Sequence, residues 1–186
     1  VTRALSPERW AAALDFPAYL TTVVKNADLW SALHRTARIP EGFADRAREI
    51  PGRWKLLVLA EDWCGDAVNV VPLLARLSEE VPSIELRVVG RDANPDLMNA
   101  HLTGTARAIP VVIVYDEGLE EVGWWGPRPR ELQAWFDAEG RAIEKGERYR
   151  QIRQWMARDR GRSTLDEILS IMEATRTDSS RGALSC

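Results

Sequence analysis

Cysteine is scarce in this chain. Its 186 residues hold two, Cys64 and Cys186, which stand 122 positions apart. So few and so widely spaced, they do not make a disulfide framework, and such low use suits a reducing compartment. Histidine is as rare: His34 and His101 lie far from each other and from both cysteines, which leaves no zinc-ligand spacing and no expected metal. Lysine appears only three times against twenty-two arginines, a bias of composition rather than of chemistry. Long apolar runs are missing too. No stretch reaches the roughly 20 residues that a membrane-spanning helix needs. Asp15 and Pro17 interrupt the first twenty residues before the apolar core of a secretion signal can form. A cytoplasmic location is the expectation. The net charge of −3 gives no general attraction to nucleic acid or to a membrane. No internal repeat and no phosphate-cradling glycine loop is visible. What remains is an ordinary globular composition, 45% hydrophobic, with room for one sizeable core.

Chemistry concentrates in Trp54 to Leu77. Leu56, Leu57, Val58 and Leu59 are consecutive and apolar, which predicts a strand buried on both faces. Val70, Leu73, Leu74 and Leu77 then recur at helical spacing. Cys64 falls where strand becomes helix, beside the unpaired N–H groups of the helix start. Those groups and the macrodipole favour thiolate over thiol. Glu61, Asp62 and Asp66 lie close in sequence and oppose that effect. As a first-turn acid, Asp66 also competes for the same N–H groups.

Ahead of this stretch, Ser6-Pro7-Glu8 reads as a helix start with Trp10 and Leu14 on one face. Phe16, Tyr19, Leu20 and Val23 continue the apolar pattern, and Asn26 is placed to cap a helix carrying Leu29, Trp30 and Leu33. Residues 1–50 thus read as a helical extension packed on a core. After the cysteine helix, Ile84 to Val89 predicts a strand, Asn94-Pro95 opens a short helix, and Val111 to Tyr115 predicts a second buried strand. Asp116-Glu117-Gly118 turns the chain back into Glu121 to Trp125. Adjacent tryptophans on a strand face opposite ways, so one of Trp124 and Trp125 is expected in the core. Trp125 is a candidate partner contact, set against plain packing under the added helices. Residues 141–162 carry eight Arg or Lys against three acids, read as a solvated helix face in preference to a docking surface for an anion. Ser163 to Glu167 offers a capping box before the stripe Leu165, Ile168, Leu169 and Met172. The C-terminal helices are expected over 141–174 and an irregular tail over 175–186. Both histidines read as structural or solvated.

Trp63-Cys64-Gly65, Pro72, Asp92-Ala93-Asn94-Pro95, Arg107-Ala108-Ile109-Pro110 and Glu131 to Phe136 stand in an order that resembles the thioredoxin family. The likeness covers roughly residues 50–140, with the domain itself placed at 51–140. It implies an α/β, three-layer thioredoxin-like fold with a central mixed sheet, plus helical N- and C-terminal extensions. It also implies that the Ile109-Pro110 bond is cis and faces Cys64. The departures form a set. Ala67 stands where the family has its second cysteine, Val58 where it has a buried aspartate, and Val88 where it has a buried lysine. The chain looks most like the single-cysteine WCGDA branch of thioredoxin-like bacterial proteins.

Without Ala67 as a thiol, dithiol exchange inside the motif is excluded, since a second thiolate is needed to release the substrate. One reading is a monothiol thiol–disulfide oxidoreductase. There Cys64 is the nucleophile, Trp63 covers it, and Gly65, Asp66, Ile109 and Pro110 hold the substrate, a protein or low-molecular-weight thiol or disulfide. An external thiol resolves it. The other reading is a redox-inactive binding module that recognises a protein or peptide in the same groove. A shared iron–sulfur cluster lacks further ligands in the chain, so no cofactor is expected. A long reach by Cys186 as resolving partner is disfavoured by loop closure.

Overall fold

The computed structural model describes residues 4–182, with backbone alone over 176–182. Strand β1, Trp54–Ala60, forms where the apolar run predicts it; Leu56 to Leu59 are entirely buried, so both faces of the strand are covered. It pairs in parallel with β2, Ile84–Gly90, and antiparallel with β3, Val111–Tyr115. A hairpin then adds β4, Glu121–Trp125, giving a mixed sheet in the order β2-β1-β3-β4. Helix α5, Gly65–Glu80, is the crossover between the parallel pair. Pro72 sits inside it, where it removes one helical hydrogen bond. The helical flanks complete the layered α/β, thioredoxin-like architecture.

Four short helices precede the sheet: α1 Pro7–Ala12, α2 Phe16–Thr22, α3 Ala27–Thr36 and α4 Phe43–Glu49. Ser6 caps α1 as expected, accepting from the Arg9 N–H at 3.2 Å. Trp10 is buried, but Leu14 is 37% exposed. The reason is that Leu14 leaves the helix and exchanges backbone hydrogen bonds with Val88 at 3.1 and 2.7 Å, adding one bridge to the β2 edge. Trp30 of α3 is fully buried, with Tyr19 edge-on at 5.3 Å. Asn26 precedes α3 but makes no side-chain cap; it adopts a left-handed backbone, and its amide donates to the Asp62 carbonyl at 3.1 Å. The side chain thus donates to a tertiary acceptor instead of accepting from the first turn of its own helix. Arg9 pairs with Asp96 of α6, Pro95–Ala100, tying the extension to the far side of β2.

Helix α7, Arg130–Ala138, and a short 3₁₀ turn, Gly140–Ala142, lead to α8, Lys145–Asp159, and α9, Arg162–Gly182. The expected cap at Ser163 is not used. The Asp159 carboxylate accepts from the Ser163 N–H and hydroxyl, at 3.2 and 2.5 Å, and α9 begins a residue earlier. Leu165, Ile168, Leu169 and Met172 are all fully buried in the same core as the sheet. Helix α9 approaches β4 so closely that a side-chain carbon at Gly123 would lie 2.8 Å from Ile171. Arg46 of α4 reaches across to Glu173 and Asp166 of α9, so the two flanks meet. An irregular tail was expected from Thr175, yet α9 continues to Gly182. Extending a helix already anchored by packing costs far less than nucleating one. Cys186 lies outside the described residues. Among those residues, no helix is long and apolar enough to cross a membrane.

Candidate functional site

Cys64 sits just outside α5 with an extended backbone, φ −82° and ψ 113°, and its sulfur accepts from the Ala67 N–H at 3.5 Å. On its other side the thiol donates to the Ile109 carbonyl at 3.4 Å. The Ile109-Pro110 bond is cis, and the structure brings Cys64, Ile109 and Pro110 together. Only 8% of Cys64 is exposed. Burial pushes its thiol up; the Ala67 N–H pulls it down, the Asp66 charge pushes it up again, and Arg128 pulls it down, with the net direction upward. Burial outweighs the helix start. A donated hydrogen bond to a carbonyl also requires the proton to stay on sulfur.

Asp66 turns inward. Its carboxylate meets Arg128 at 2.5 Å, and both side chains are less than a tenth exposed. Burial raises the Asp66 carboxyl against the opposing pull of Arg128. The guanidinium of Arg128 lies 4.2 Å from the centre of the Phe136 ring and donates to Gln133 at 3.1 Å. Asp66 Oδ1 and Arg128 Nε have no partner, so the pair is tight but incompletely satisfied. Arg128 belongs to no motif that marks it in the sequence. The one local sign of it is its place between Pro127 and Pro129, which stiffens the segment and aims the side chain. Meanwhile Val58 and Val88, the family's charged positions, face each other in register and are fully buried. In this chain those two sheet positions are apolar, and a buried ion pair lies instead at the first turn of α5.

Trp63 is 44% exposed, with the Arg91 guanidinium 5.0 Å from its ring centre. Gly65 is exposed and has open space around it. The remaining acids near the motif are occupied elsewhere. Asp62 accepts from the Val24 and Lys25 N–H groups at 3.0 and 2.8 Å, which lowers its carboxyl, and its carbonyl accepts from the Trp30 indole at 3.0 Å. Glu61 accepts from the Asp92 N–H at 3.1 Å. The N-terminal helices therefore clamp the loop that carries Cys64. Trp125 is not part of this cluster's surface: it is 5% exposed and its indole donates to Glu167 of α9 at 2.6 Å. Trp124 is partly buried against His101, whose ring bonds Leu97 and Glu121. His34 pairs with Glu79. Among the described residues, no group of three or more His, Cys, Asp or Glu could hold a metal.

Two solved structures share this architecture. One is a protein of unknown function from Pseudomonas aeruginosa and the other an HIV epitope scaffold. Each aligns with a TM-score of 0.69 at 24% identity, over 92% of this chain and 99% of its own, a likeness of fold alone. No curated protein matches the chain. A family model described as Thioredoxin matches residues 13–142. This chain, with one cysteine at its motif, belongs to the thioredoxin family.

Proposed function

We propose that the chain is a thioredoxin-fold binding module of the single-cysteine WCGDA kind, whose Cys64 remains a thiol while the surrounding groove holds a protein or peptide segment. The observation that carries this reading is the Cys64 thiol itself, buried and hydrogen-bonded to the Ile109 carbonyl. A nucleophile for disulfide exchange works as thiolate and needs access, and this environment opposes both. Exposed Trp63, with Arg91 against it and exposed Arg107 held to Arg91 through its carbonyl at 3.3 Å, suits a partner that offers apolar and acidic groups.

The monothiol reading keeps one specific support. Ala67 and Asp66 both direct N–H groups of the first helical turn at the sulfur, and Arg128 adds a positive charge. In that reaction the Cys64 thiolate would attack one sulfur of a disulfide, forming a mixed disulfide and expelling the other sulfur as a thiolate.

Oxidised glutathione separates the two. The Cys186→Ser protein, incubated with it at pH 7.5 and weighed intact, is expected to stay unmodified for hours. Rapid gain of one glutathione at Cys64 would establish the monothiol reaction instead.

A further inference from the structure

A cavity of about 640 Å³ opens between α3, α5, α8 and α9. It shares no lining residue with the Cys64 site, and Leu73 in its wall lies about 13 Å further along α5, by the 1.5 Å rise of each residue. Leu33, Pro72, Leu73 and Met156 make its apolar wall, and Arg38, Arg153, Arg160 and Arg162 stand around it. Glu41 is the single carboxylate in the lining. Arg38 is steadied by donating to the Arg35 and Ala37 carbonyls at 3.0 and 2.7 Å. Arg153, Arg160 and Arg162 have no ion pair or side-chain hydrogen bond among the described residues. Thr164, 1% exposed, also contributes to the lining, and its hydroxyl has no hydrogen-bond partner there. Four guanidinium groups with no acidic partner among the described residues thus stand around an apolar floor, and give the cavity a positive rim.

We infer that this cavity binds a small amphipathic anion, a hydrophobic carboxylate whose tail lies on Leu33, Leu73 and Met156 and whose head meets the arginines. The volume falls within the range of small-molecule sites, about 300–1,000 Å³. Guanidinium forks match a carboxylate through paired hydrogen bonds, and the Thr164 hydroxyl supplies a further polar contact. The excess of three positive charges in the lining selects against cations and gives neutral tails no head-group partner.

Calorimetric titration of the full chain with decanoate and with decanol tests this. Decanoate is expected to bind at one site per chain, and decanol at least about tenfold more weakly, the size of one charge-assisted hydrogen bond. Arg153→Gln with Arg162→Gln, both exposed positions, should weaken decanoate about tenfold with the melting temperature unchanged. Ala157→Trp, which fills the mouth, should abolish binding. Equal affinity for decanol, or decanoate binding unaffected by these substitutions, would overturn the assignment. So would inorganic phosphate competing as strongly as decanoate, since the site would then be a charge patch without a use for its apolar floor.

Discussion

Arg128→Met is expected to cost about 3–5 kcal/mol of folding stability, because it strands a buried carboxylate. Arg128 and Asp66 are both less than a tenth exposed and 2.5 Å apart, and Asp66 Oδ1 already lacks a partner. Removing the cation leaves that carboxylate to protonate or to remain as an unpaired buried charge. The pH dependence follows. Burial already raises the Asp66 carboxyl in the folded chain, and loss of Arg128 raises it further. A folded acid that titrates above its unfolded range holds a proton the unfolded chain has lost. Its stability is therefore fully present below the unfolded range and is lost as pH rises through the folded value. The deficit of Arg128→Met should thus be smallest in acid and grow toward neutrality. Urea unfolding at a series of pH values measures this. The double variant Asp66→Leu, Arg128→Met should recover most of the loss, since apolar groups can replace a buried pair at little cost. Equal stability of wild type and Arg128→Met at neutral pH would mean that the pair is open to water.

Gly126→Ala should be more damaging than its position at a strand end suggests. A side-chain carbon there would lie 2.1 Å from the Pro110 carbonyl oxygen and 3.1 Å from its carbon. The obstacle is backbone, so no rotamer relieves it. The backbone at Gly126 also has φ +134°, which L residues rarely adopt. Both effects act on the segment that faces Cys64, and a loss above about 4 kcal/mol is expected, at the far end of single substitutions. Gly65→Ala is the control, because nothing lies within 4 Å of its added carbon; it should change stability by less than about 1 kcal/mol. Thermal unfolding of the two variants compares them directly. A wild-type melting temperature for Gly126→Ala would show that β4 can withdraw from Pro110.

Features with a short period are legible in the sequence. Leu56 to Leu59 announce a doubly covered strand, and Leu165, Ile168, Leu169 and Met172 a packed helix face; all eight are fully buried. Cys64 at the strand-to-helix junction was legible for the same reason. Its electrostatics were not. Glu61, Asp62 and Asp66 look alike in the sequence, yet Asp62 is spent on the Val24 and Lys25 N–H groups, Glu61 on Asp92, and only Asp66 is buried beside the sulfur. Arg128 is 62 positions from Asp66, and no periodicity encodes a pairing across that distance. Asn26 and Ser163 failed as caps because Asp62 and Asp159 offered other partners. Trp125 reads from the sequence as the candidate contact of its pair, yet it is the more buried tryptophan, because the helix that covers it, α9, comes some forty residues later in the chain.

Cys64 is expected to rest as a thiol, held by burial and by its bond to the Ile109 carbonyl. The rate of its alkylation by iodoacetamide against pH, read by mass spectrometry in the Cys186→Ser protein, tests this most directly. Burial and the Asp66 charge outweigh the helix start and Arg128, so labelling should be slow, with a midpoint above the roughly 8.5 of a free thiol. Fast labelling with a midpoint well below that value would show a stabilised thiolate and a redox-competent monothiol centre.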